Sequence, residues 1–110
     1  MALHTIYWRP SLARATLVLR EKFTDERGDI VDLAIWKVAT APNYPDGVRY
    51  RLAFVRRGEP VPAVLYDNHA PKGHHRHVEG FEQPYAFSDV TRLIADFMAD
   101  VKQTTERRDA

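Results

Sequence analysis

The chain contains no cysteine, which removes disulfide bridges, thiolate nucleophiles and cysteine-type zinc centres from the chemistry open to it. That absence fits any redox compartment. No stretch approaches the ~18 apolar residues of a membrane-spanning helix, so no membrane association is expected. Residues 1–15 lack the basic-then-apolar order of a secretory signal, and a soluble cytoplasmic protein is the expectation. There is no internal repeat and no low-complexity tract. Net charge is also nearly missing, because 16 Lys/Arg offset all but one unit against 15 Asp/Glu.

What is present suits one compact domain. The 110 residues are 45% apolar and 11% aromatic, enough for a hydrophobic core without staples. We expect a single α+β domain over residues 16–101, a short N-terminal extension over 1–15, and a charged tail over 102–110 that frays. The small net charge conceals a division. Residues 49–77 carry six Lys/Arg against Glu59 and Asp67, whereas residues 78–110 carry four basic and seven acidic groups. A basic centre points to an anionic ligand.

Periodicity predicts the elements. Thr16–Phe23 alternates, with Leu17 and Leu19 on one side and Arg20 and Lys22 on the other, the pattern of a half-buried strand. Asp25-Glu-Arg-Gly28-Asp reads as a hairpin turn. Ile30–Val38 follows, with Val31, Leu33 and Ile35 on one face and Ala34 and Trp36 on the other. Residues 39–47 hold two prolines and Asp46-Gly47, and form a loop. Val48–Arg57 is a third strand that turns Tyr50, Leu52 and Phe54 one way and Arg49, Arg51 and Arg57 the other. A turn at Arg57-Gly-Glu-Pro60 leads to a fourth strand, Val61–Tyr66, edge-like at Pro62. Ser88 is the expected cap of a helix whose apolar stripe is Val90, Leu93, Ile94, Phe97, Met98 and Val101. Residues 11–15 could form a helical turn, and Trp8, Trp36 and Tyr85 read as packing residues. The expected fold is a four-stranded antiparallel meander with the C-terminal helix on one face.

Function is expected between the fourth strand and the helix. Residues 66–77 hold four of the five histidines, with Asp67, Lys72 and Arg76 among them. Histidine alone both takes and gives protons near neutral pH without a shifted pKa. Cleavage of RNA through the 2′-hydroxyl needs a base, an acid and donors for the charge that builds on phosphorus oxygens. His69, His75 and His77 are the expected acid–base groups, because residues 75 and 77 share a face of an extended segment. Asp67 is expected to orient a histidine, and Lys72 and Arg76 to hold phosphate. Gly73 admits close backbone approach to a phosphate. His74, Arg49, Arg51 and Arg57 extend the candidate RNA-binding set. No cofactor is expected.

The segments Leu17-Val-Leu-Arg-Glu-Lys-Phe23, Ile35-Trp36-Lys-Val38, Tyr50-Arg-Leu-Ala53, Tyr66-Asp-Asn-His69, Lys72-Gly-His-His-Arg-His77 and Glu82-Gln-Pro-Tyr85 resemble the TumE family. The resemblance covers roughly residues 16–101. The family comprises small bacterial and archaeal toxins of toxin–antitoxin pairs. The resemblance implies a growth-inhibiting protein, neutralised by a DNA-binding antitoxin made alongside it.

Two other readings stay open. A basic module that binds nucleic acid or a partner without chemistry would use Arg49 and Arg51 above any single histidine. A metal-dependent hydrolase would draw ligands from Asp67, His69, His75 and His77, against repulsion from Lys72 and Arg76. With RNA as the expected target, the metal-free ribonuclease is preferred. Whether the chain also forms a homodimer is left open.

Overall fold

A computed structural model describes residues 15–110. The helical turn expected at residues 11–15 lies almost wholly outside them, as does Trp8. Within them the fold is α+β: one antiparallel sheet and one C-terminal helix. The sheet has six strands, not four: β1 (Thr16–Thr24), β2 (Ile30–Lys37), β3 (Val48–Val55), β4 (Val64–Asp67), β5 (His75–Val78) and β6 (Phe81–Pro84). They pair in sequence order as a single meander. The helix, α1, spans Val90–Asp109.

Alternation decides which face the helix covers. Val31, Leu33 and Ile35 of β2, Tyr50, Leu52 and Phe54 of β3, and Val64 and Tyr66 of β4 all turn to one side and are buried. Leu93, Phe97 and Val101 of α1 close over them. Tyr66 meets Phe97 edge-on, with centroids 5.7 Å apart, a geometry that suits the ring quadrupoles. Burying each such side chain is worth roughly 1.5–3 kcal/mol. Among the described residues, the opposite face has no helix over it. It carries Ala34 and Trp36 of β2, Arg49 and Arg51 of β3, Leu65 and Asp67 of β4, and His75 and His77 of β5.

Several expectations need correction. In β1 the register slips between Leu17 and Leu19, so the two do not share a face. Leu17 pairs with Trp36 on the open side, while Leu19 pairs with Ile35 on the helix side. A bulge adds one residue and thereby reverses the alternation. The third strand ends at Val55, short of Arg57, and the fourth begins at Val64, beyond Pro62. The helix is capped by Asp89, whose carboxylate accepts the Arg92 N–H at 2.8 Å, and not by Ser88. Met98 of the expected stripe is 40% exposed.

The segment 102–110, expected to fray, is helical through Asp109. Its charges are tied to the far end of the sheet. Arg27 grips Asp109 with two bonds of 2.9 and 2.6 Å, and Arg108 donates to Asp29 at 3.0 Å. Thr104 is fully buried, and its carbonyl accepts from Arg56 at 3.1 Å.

Candidate active site

Two of the four histidines of the segment lie on a strand, His75 and His77 of β5, while His69 and His74 lie in the connection between β4 and β5. Glu79 and Gly80 both have positive φ, 49° and 86°, between the paired residues Val78 and Phe81. Two left-handed central residues give the hairpin turn whose twist matches its strands. That tight turn folds β6 back on β5 and carries Glu82 opposite His77. At the other end of β5, Gly73 takes φ of 75°. Its carbonyl faces His75, whose Nδ1 lies 2.8 Å away.

Strand alternation sorts the cluster into two groups. His75 and His77 stand on the open face, ring centroids 5.3 Å apart and nearly perpendicular. Glu82 Oε1 lies 3.3 Å from His77 Nε2 and 2.6 Å from Lys72 Nζ. The Lys72 ammonium, aided by His77 and His75, holds the Glu82 carboxyl below its usual range. Sequence reasoning gave Glu82 no role. The one signal for it was its place beside the histidines, in a hairpin too short to read.

The ring nitrogens of His75 are distinguishable. A carbonyl only accepts, so the bond to Gly73 requires a proton on Nδ1 and leaves Nε2 as the acceptor in the neutral ring. His75 is only 8% exposed. Among the described residues, its Nε2 makes no hydrogen bond, and its one ring bond is that of Nδ1.

His74 and Arg76 point to the other side. The His74 ring bonds Tyr50 Oη at 2.9 Å and Asp46 Oδ2 at 2.7 Å, and stacks on Phe87 at 4.8 Å. Burial, with nearby tyrosines and carboxylates, raises the Tyr50 hydroxyl well above its usual pKa; it stays protonated and serves as a strut. Arg76 donates to Tyr66 Oη at 3.0 Å and to Asp100 at 3.1 Å, fastening the sheet to α1. Neither side chain joins the open-face group.

Asp67 faces Arg51 across β3–β4 and His75 across β4–β5. Its Oδ1 accepts the backbone N–H of His69 at 2.6 Å, an Asx-type turn; its contact is with the main chain of a histidine, not a ring. Asn68 is buried and continues the ladder with its side chain. It accepts from Tyr50 N–H at 2.9 Å and donates to the Val48 carbonyl at 2.8 Å. The exposed His69 borders a surface cavity of about 480 Å³, together with Ala34, Trp36, Arg49, Arg51 and Asp67. Arg57 is remote: its N–H bonds Asp29 at the β1–β2 turn, about 26 Å along the chain from Arg49 at ~3.3 Å per residue. Among the described residues, no three His, Asp or Glu side chains are grouped to hold a metal ion, so the four offered by the sequence do not form a ligand set.

A family model described as Toxin TumE matches residues 7–105. The chain belongs to the TumE family. The match starts earlier and ends later than the segments that carried the resemblance, reaching past the start of the described residues and into the last turns of α1. No curated protein and no solved structure matches the chain. Membership in the TumE toxin family implies a cognate antitoxin. Among the described residues, no helix of this TumE protein is long and apolar enough to cross a membrane.

Proposed function

We propose that this toxin is a metal-independent ribonuclease that cuts RNA by transphosphorylation. The observation that carries the reading is the pair of imidazoles 5.3 Å apart on the open face, beside a lysine that shares a carboxylate with one of them. In this reading Nε2 of His75, the acceptor nitrogen of the neutral ring, takes the proton of the ribose 2′-hydroxyl. The 2′-oxygen attacks phosphorus and the bond to the 5′-oxygen breaks. His77 gives its proton to that leaving oxygen. Lys72 stabilises the charge gathering on the phosphoryl oxygens. Glu82 is a positioning residue that holds Lys72 and His77. His69, Arg49 and Arg51 receive the adjoining strand. Products are a 2′,3′-cyclic phosphate and a 5′-hydroxyl, with all protons accounted for. The antitoxin, proposed as a DNA-binding protein, neutralises this activity.

The test is incubation of purified protein with total RNA, with and without chelator. Wild-type chain is expected to cut in both conditions, while His75→Ala and His77→Ala fold but lose cutting by at least about a hundredfold. Undiminished cleavage in both variants would overturn the assignment. Salt-sensitive RNA binding with no product from any variant would favour the binding-module reading instead.

A further inference from the structure

We infer that the cavity beside the histidine pair is a subsite for an unpaired nucleobase, with Trp36 as its stacking platform and Arg49 and Arg51 binding the flanking phosphates. This rests on the reading that RNA is the target, but not on cleavage. The hollow measures about 480 Å³, within the ~300–1,000 Å³ typical of small-molecule sites. Its shape follows from strand alternation. Ile35 is fully buried in the core, so its neighbour Trp36 must face outward, where it stays 37% exposed. Trp36 pairs with Arg49, and Ala34 pairs with Arg51. Ala34 is small, and among the described residues it lines the hollow together with Trp36, Arg49 and Arg51.

The lining has three complementary chemistries. An exposed indole offers a face to any base, since every base has a π-surface. Neither arginine has a carboxylate within salt-bridge distance among the described residues. Such cations on an open sheet face suit phosphates. Asp67 has one oxygen committed to the His69 N–H, and among the described residues the other accepts no hydrogen bond. A carboxylate in the lining repels an acidic peptide but accepts the amino or imino groups of a base edge. The position is also right for the chemistry. Asp67 belongs to this lining and sits one strand, ~4.8 Å, from its register partner His75. A base held in the hollow therefore directs its neighbouring phosphate toward the imidazole pair.

Binding of labelled 2′-O-methyl hexanucleotides, which cannot be cleaved through the 2′-position, tests this by fluorescence anisotropy. The comparison is an abasic strand of equal length. Wild-type chain is expected to hold the base-bearing strand about ten- to a hundredfold more tightly. Trp36→Phe retains that advantage because it keeps a ring. Trp36→Leu, and Ala34→Leu, which fills the floor while leaving every polar group in place, abolish it. Arg49→Met with Arg51→Met weakens both strands and flattens the slope of log Kd against log salt by about 0.7 for each phosphate no longer neutralised. Thermal melts of every variant separate misfolding from weakened binding, and Trp36→Phe keeps the test decisive if Trp36→Leu is unstable. Equal affinity for the abasic strand, indifference to both leucine variants, or stronger competition by a hexaglutamate peptide would each overturn the subsite. Base-dependent binding without cleavage would sink the catalytic proposal and leave this one standing; cleavage with no base dependence would do the reverse.

Discussion

Arg108→Ala is expected to weaken the fold at one end and leave the chemistry at the other untouched. Arg108 donates to Asp29 Oδ2 at 3.0 Å. The Asp29 side chain is only 3% exposed, and its other carboxylate oxygen accepts the Arg57 N–H at 2.9 Å. A hydrogen bond between charged groups contributes ~1.5–3 kcal/mol. Arg108 keeps 29% side-chain exposure against 3% for Asp29, so the main cost of its removal falls on the carboxylate left behind. The loss at pH 7 is about 2–3 kcal/mol, which for a domain of this size is roughly 10–20 °C in Tm. Burial alone would raise the Asp29 carboxyl, but the bonds from Arg108 and the Arg57 N–H hold it below its usual range. A depressed folded pKa gives stability that is complete above the unfolded value near ~3.9 and lost as pH falls through the folded one. Removing Arg108 leaves only the Arg57 N–H and the Arg27 charge to oppose burial, so the variant's Asp29 protonates more readily. The gap to wild type should therefore narrow between pH 6 and pH 3. Melts followed by circular dichroism across that range, with RNA cleavage at 20 °C, check both halves. A Tm loss below about 3 °C at pH 7, or a gap independent of pH, refutes the reasoning.

Three further substitutions separate support from chemistry. Glu82→Gln removes the carboxylate shared by Lys72 and His77; cleavage should fall about tenfold or more while Tm barely moves, since exposed ion pairs add little stability. Arg76→Met breaks the bonds to Tyr66 and Asp100 and should lower stability by about 1–2 kcal/mol in urea melts. The salt slope of RNA binding should stay that of wild type, because Arg76 faces the helix. His74→Ala leaves the Tyr50 hydroxyl, in a side chain only 2% exposed, without its partner. It should cost about 1–3 kcal/mol with cleavage retained below the melt.

Much of this architecture was legible in the residues. The core faces of β2 and β3 and the buried ridge Leu93–Phe97–Val101 follow directly from periods of two and of three to four. The last two strands were not legible. Each is four residues long, and His75-Arg-His-Val78 and Phe81-Glu-Gln-Pro84 offer almost no apolar alternation, since one lies near the sheet edge and the other forms it. Their pairing is set instead by the Glu79-Gly80 turn. Alternation did separate His75 and His77 from His74 and Arg76. It could not reveal that His74 and Arg76 are held by Asp46 and Asp100, both distant in sequence. The docking of residues 102–109 was hidden for the same reason, because Arg27 and Asp29 lie some 80 positions away.

The central claim is that His75 and His77 transfer protons in a 2′-hydroxyl attack, and the chemical identity of the cut ends tests it most directly. RNA digested by the purified chain in the presence of chelator should carry 2′,3′-cyclic phosphates on one side of each cut and 5′-hydroxyls on the other. A 5′-phosphate with a free 3′-hydroxyl, or cutting that ceases once metal is removed, would contradict the account.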